Sequence, residues 1–107
     1  MTGMAVLESP PMDLSDESLA AAARAGDRAA FSALMARYRG LAFAYARARL
    51  GSREEAEDAL QECFVRAYLA LDRYRGVRPW AAWFMAIVRN HCTDVSRKKR
   101  LRVSEPL

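Results

Sequence analysis

The sequence predicts an all-α domain, a compact helical bundle of three long helices led by a short N-terminal one. Three observations carry that expectation. Apolar residues recur at the i, i+3, i+4, i+7 spacing of a helix face along most of the chain. Capping residues and glycines punctuate the pattern where helices should begin and end. No stretch alternates apolar and polar residues as a half-buried strand would, and no internal repeat or low-complexity tract is present. A chain of 107 residues, 52% hydrophobic, can bury one modest core and suits a single domain rather than a two-domain enzyme with a cleft.

Residues 1–14, with Pro10 and Pro11 and no periodicity, are expected to form a flexible arm. Ser15 followed by Asp16 and Glu17 supplies an N-cap and negative charge at the positive end of a helix dipole, so a short helix should run from there to Ala25 and stop at Gly26. Asp27 caps a second helix whose core stripe is Phe31, Leu34, Met35, Tyr38, Leu41, Ala42 and Tyr45, ending at Leu50 before Gly51. Ser52 with Glu55 has the capping-box spacing and opens a third helix. Its stripe of Ala56, Leu60, Cys63, Phe64, Ala67 and Leu71 predicts about 22 residues to Tyr74, or ~33 Å if straight. Arg75-Gly76 breaks it, and Pro79 suits the first turn of a fourth helix. There Trp80, Trp83, Phe84, Ile87, Val88 and Val95 face the core, and Ala86, Arg89, Asn90, Thr93, Arg97 and Arg100 face away. The helical domain is expected over 15–100, with 101–107 as a basic, linker-like tail.

Charge and motif content exclude several function classes. The longest apolar run, Trp80 to Val88, is far short of the ~18 residues that span a bilayer, and the N-terminus lacks the basic and apolar regions of a signal peptide. These features point to the cytoplasm and to no membrane insertion. Cys63 and Cys92 fall on or beside apolar positions and are expected as small core residues, not as a disulfide or zinc site. His91 is the single histidine and lies between the core and polar faces; no glycine-rich phosphate loop or nucleophile-base set accompanies it, so catalysis and cofactors are not expected.

The net charge of +4 conceals a split. Residues 1–72 hold 8 basic against 11 acidic side chains, and residues 73–107 hold 9 against 2. The basic end therefore suits a polyanion. On the third helix Glu54 and Glu55 sit where they stabilise the dipole, whereas Asp58, Gln61 and Glu62 lie beyond the first turn and need another reason. An acidic helix face is in general more often solvated than bound. On the fourth helix, Arg97, Lys98, Lys99, Arg100 and Arg102 exceed the cations a helix C-terminus calls for. Arg89, Asn90, Thr93 and Arg97 share one face and mix phosphate-binding with base-reading side chains. Between the helices, the turn Tyr74-Arg75-Gly76-Val77-Arg78-Pro79-Trp80 sets aromatics beside arginines, the materials of a base-stacking pocket or, for Tyr74 and Trp80, simply of a core closed around the turn.

Two segments, DRAAFSALMARYRGLAFAYARARLGSREEAEDALQECFVRAYLALDRYRG and PWAAWFMAIVRN, resemble region 2 of bacterial RNA polymerase sigma factors of the extracytoplasmic function type, from about Asp16 to Arg100. The resemblance implies a transcription initiation domain with three surfaces. Asp58, Gln61 and Glu62, extended by Val65, match the positions that dock on the clamp helices of the polymerase β′ subunit. Tyr74, Arg75 and Gly76, with Val77 and Arg78, match the loop that captures a base flipped from the non-template strand of the promoter −10 element. Arg89, Asn90 and Thr93 match the direct contacts of the helix that reads and melts that element, with Arg97, Lys98 and Arg100 on phosphates. It also implies an anti-sigma partner and a further helix-turn-helix domain for the −35 element, to which nothing in these 107 residues corresponds. Met85-Ala86 stands where the family has an aromatic followed by Arg, which weakens the contact expected at the upstream duplex edge. Alternatives of other classes are a small helical nucleic-acid-binding module acting without polymerase, and a protein-interaction domain held by an anti-sigma factor. Asp58, Gln61 and Glu62 as a patch distinguish the first reading from a plain nucleic-acid binder.

Overall fold

In the computed structural model, which describes residues 14–104, the order is α1 (Asp16–Arg24), α2 (Arg28–Leu50), α3 (Arg53–Leu69), a 3-10 turn (Leu71–Arg73) and α4 (Trp80–Ser104). The expected arm falls almost wholly outside the described residues, as does the end of the expected tail; residues 101–104 continue α4. No strand occurs among the described residues, so the all-α bundle stands.

The caps do what their chemistry requires. Ser15 Oγ accepts from the Ser18 amide, Asp27 Oδ1 from Ala29 and Ala30, and Ser52 Oγ from Glu55. Each answers amides that the first turn of a helix leaves unpaired. Gly26 and Gly51 follow α1 and α2 at φ of +112° and +91°, the left-handed region where a side chain would be strained.

α2 packs against α1, α3 and α4, and the core gathers around it. Phe84 is its centre. The ring lies at 5.6 Å from Phe64 and 6.1 Å from Trp80, nearly parallel to both, and at 6.3 Å from Tyr38. Leu19, Leu34, Val88 and both cysteines fill the remaining space. Cys63 and Cys92 are free, and burial together with the neighbouring Cys92 sulfur pushes the Cys63 thiol up to about 12. Such thiols are packing, not chemistry.

Two expectations of the sequence are corrected. Leu41 is 55% exposed, because the buried stripe of α2 moves round towards Ala46 and Leu50 where α4 packs, and leaves Leu41 behind. α3 ends at Leu69, not Tyr74: Ala70 caps it and the chain tightens into the 3-10 turn, which still buries Leu71 and Tyr74 on the core side. Pro79 lies just before α4, where its carbonyl accepts from the Trp83 amide.

The basic tract is partly spent on the fold. Lys99 Nζ donates to Glu55 Oε1 at 2.9 Å and to the Leu50 carbonyl at 3.1 Å, pinning the α2–α3 turn to α4. The hydrogen bond from Lys99 holds the Glu55 carboxyl below its usual range against a smaller opposing effect of burial, with the Lys99 charge and Ser52 adding to the lowering. A depressed carboxylate stabilises the folded state above its unfolded pKa and loses that contribution as pH falls through the folded one. The pin is therefore expected to hold at neutral pH and to release only in acid. Lys99→Met should return Glu55 to the ordinary carboxylate range, read by a side-chain NMR titration.

Candidate functional site

Three surfaces follow from this packing. The first is the outer face of α3. Asp58, Gln61, Glu62 and Val65 are all exposed and lie within about 100° of one another around the helix. Glu62 accepts from Arg66 Nε at 2.9 Å, an exposed i, i+4 pair that contributes little to stability. The patch is more apolar than its sequence suggests. Val65 is 52% exposed, Tyr68 48% and Leu69 75%. Beside them a groove of about 540 Å³ opens between α2 and α3, walled by Phe31, Met35 and Ala36 and by Gln61, Val65 and Tyr68. Contiguous exposed apolar side chains beside carboxylates are the composition of a protein-binding surface. Tyr68 and Leu69 were missed by sequence reasoning. A leucine off the core stripe of the third helix was the available signal.

The second surface is the loop 75–79. Arg75, Gly76, Val77 and Arg78 are exposed, and Gly76 takes φ of +77°. Tyr74 is not part of that surface, and the expected stacking role of its ring is corrected. Tyr74 is 3% exposed, edge-on to Trp80 at 5.5 Å and tilted against Trp83 at 5.3 Å. Its hydroxyl donates to the Arg78 carbonyl at 2.8 Å and its carbonyl accepts from Arg24 Nη1. Burial, with the Glu17 and Asp16 carboxylates nearby, raises the Tyr74 hydroxyl above its ordinary pKa. Tyr74 ties the ends of the loop together, and leaves the guanidinium groups of Arg75 and Arg78 and the loop backbone to face outward.

The third surface is α4. Arg89 and Asn90 are exposed, Thr93 is half-buried, and Arg97 and Arg100 are exposed beyond it, all within about 100° around the helix. Arg97 lies 3.7 Å from Asp94, an exposed pair that is readily exchanged for a phosphate. Lys98 is exposed but about 140° round the helix from Thr93, so the structure does not bring it to this face. In its place comes Arg49 of α2, which donates to Thr93 Oγ1 at 3.3 Å and to the Tyr45 hydroxyl at 2.7 Å, with its guanidinium 5.7 Å over the Tyr45 ring. Arg49 is 44 residues from Thr93, and nothing local announces the contact. His91 is half-buried beside this face; burial first, and then the Arg66 charge, lower its pKa, and its Nδ1 has no hydrogen-bond partner among the described residues.

Among the described residues no three His, Cys, Asp or Glu side chains gather as metal ligands, and no helix is long and apolar enough to cross a membrane. What the arrangement offers is contact: one face for a protein, and a loop and helix face for an anion with bases.

Comparison with known proteins bears on the family. The model of the family described as sigma-70 region 2 matches residues 34–102. RNA polymerase sigma factor CnrH of Cupriavidus metallidurans is 40% identical over 88 residues, 81% of this chain and 46% of CnrH. The ECF RNA polymerase sigma factor SigW of Bacillus subtilis is 35% identical over 75 residues, 70% of this chain and 40% of SigW. The chain thus spans less than half the length of these curated relatives. Among solved structures, an engineered region 2 of sigmaE in complex with GTAAAA superposes with a TM-score of 0.78 at 26% identity, over 89% of this chain and 99% of that one. CnrH in complex with the cytosolic domain of CnrY superposes at 0.67 and 36% identity, over 83% and 60%.

Proposed function

This chain belongs to the sigma-70 region 2 family, and from that membership we propose that it is the part of a transcription initiation factor that docks on RNA polymerase and recognises and melts the promoter −10 element. The observation that carries the reading is the likeness, over nearly the whole of that chain, to a region 2 of sigmaE bound to GTAAAA. The outer face of α3, with Asp58, Gln61, Glu62, Val65 and now Leu69, is the docking surface for the polymerase β′ subunit. Arg75, Gly76 and Arg78 receive a flipped base, and Arg89, Asn90, Thr93 and Arg49 read the strand, with Arg97 and Arg100 on its phosphates.

The energetics suit a factor without a nucleotide motif. Extracting a base costs a few kcal/mol. Guanidinium planes can stack on an unpaired base, and each phosphate neutralised releases counterions. Binding to the single strand therefore pulls the duplex open. An anti-sigma partner belongs to the same reading, since CnrH is held with the cytosolic domain of CnrY and the groove between α2 and α3 offers apolar surface for such a contact.

The experiment is enrichment from a random library of single-stranded hexamers, GTAAAA among them, by the full chain. One hexamer class is expected to bind at least tenfold better than its scrambled counterpart. Asn90→Ala should lower that selected affinity roughly tenfold, the order of one side-chain contact to a base edge, while the scrambled strand is unaffected. Binding that depends steeply on salt but not on sequence would instead favour the plain nucleic-acid module.

A further inference from the structure

We propose that α1, through Glu17 and Arg24, is the platform that holds the base-capturing loop in its binding shape. The inference rests on the promoter reading above and adds residues to it that lie before the family match at 34–102. The loop has two anchors, and both are on α1. At its entry, Arg24 Nη1 donates to the Tyr74 carbonyl. At its exit, the Trp80 amide, the first of α4, donates to Glu17 Oε2 at 3.2 Å. That amide is one of those a helix leaves unpaired, and a carboxylate there also meets the positive end of the α4 dipole. Between the anchors Tyr74 closes the loop on itself through the Arg78 carbonyl. α1 is in turn fixed to α2, because Asp16 accepts from Arg37 Nη1 at 2.8 Å and from the Tyr38 hydroxyl.

The consequence is preorganisation. Residues 75–78 are exposed and have no core side chain of their own, so without the two tethers they would have to be ordered at the moment a base enters. Glu17 and Arg24 are positioning residues: they touch the loop and the start of α4, and not the nucleic acid. Removing either should weaken capture of the selected base and leave phosphate contacts along α4 as they were.

The test uses the full chain, the hexamer selected above and its scrambled counterpart. Glu17→Ala and Arg24→Ala, which release opposite ends of the loop, are each expected to reduce the ratio of the two affinities about fivefold. Glu17→Gln keeps the acceptor and Arg24→Lys keeps a donor, so both should restore the ratio to within about twofold. The salt dependence should not change, because it counts phosphates. A ratio is independent of the fraction of folded chain, so loss of stability alone cannot produce this result. A wild-type chain that selects a hexamer and alanine variants that select it equally well would overturn this inference alone. A wild-type chain that selects nothing would overturn the promoter reading, and this inference with it.

Discussion

Phe84→Ala is expected to lower the free energy of unfolding by about 3–5 kcal/mol, the range for a buried phenylalanine truncated in a core that cannot fully collapse. The ring is 1% exposed and stacked between Phe64 of α3 and Trp80 of α4, with Tyr38 of α2 on its flank, so its loss opens a void that three helices share. A domain of this size has roughly 5–15 kcal/mol in all. The variant should therefore unfold at markedly lower urea, read by the helical circular-dichroism signal, and Phe84→Leu should recover much of the loss. A change under about 1.5 kcal/mol would mean that the aromatic cluster closes over the gap and that Phe84 is not the keystone. The site depends on this packing too: Trp80 begins α4 directly after the loop, and Phe64 lies under the groove beside the α3 face.

What could be read in the sequence was whatever depends on near neighbours. Ser15, Asp27 and Ser52 capped the helices they were expected to cap, because a cap bonds to amides two or three residues on. The end of α3 was not legible, since Leu71 and Tyr74 continue its apolar pattern and a 3-10 turn can bury both without a glycine to mark the change. The exposed carboxylates of α3 and the arginines of α4 were likewise visible from helical spacing. Tyr74 was ambiguous, because an aromatic at the edge of a loop can face a base or the core. The Tyr74 ring packs against Trp80 and Trp83, and its carbonyl is held by Arg24, 50 residues away. Lys99 stood in the basic run that exceeds the needs of a helix C-terminus, and only its contact with Glu55, 44 residues distant, shows that the fold uses it. Arg49 was overlooked because only the crossing of α2 with α4 brings it to Thr93. Contacts of that kind are set by tertiary packing, and no local pattern encodes them.

The larger functional effect is expected on α3. Asp58→Lys combined with Glu62→Lys should weaken association with a fragment carrying the β′ clamp helices by at least 100-fold, read by titration calorimetry or a competition pull-down. The reasoning is electrostatic: two charge reversals on one exposed patch turn attraction into like-charge opposition against any surface complementary to its carboxylates, which costs several kcal/mol across an interface. The fold should tolerate the change. Both side chains are exposed, both lie beyond the first turn where carboxylates support the dipole, and the pair lost with Arg66 is a weak surface one. The helical signal is therefore expected to stay intact. Leu69→Ala separates the apolar part of the surface: with 75% of the side chain exposed it should cost the free domain little, yet speed dissociation from the partner without changing the salt dependence. Wild-type affinity in the double-lysine variant would remove this face from the polymerase contact, and would return Asp58 and Glu62 to the solvated helix surface that acidic residues most often form.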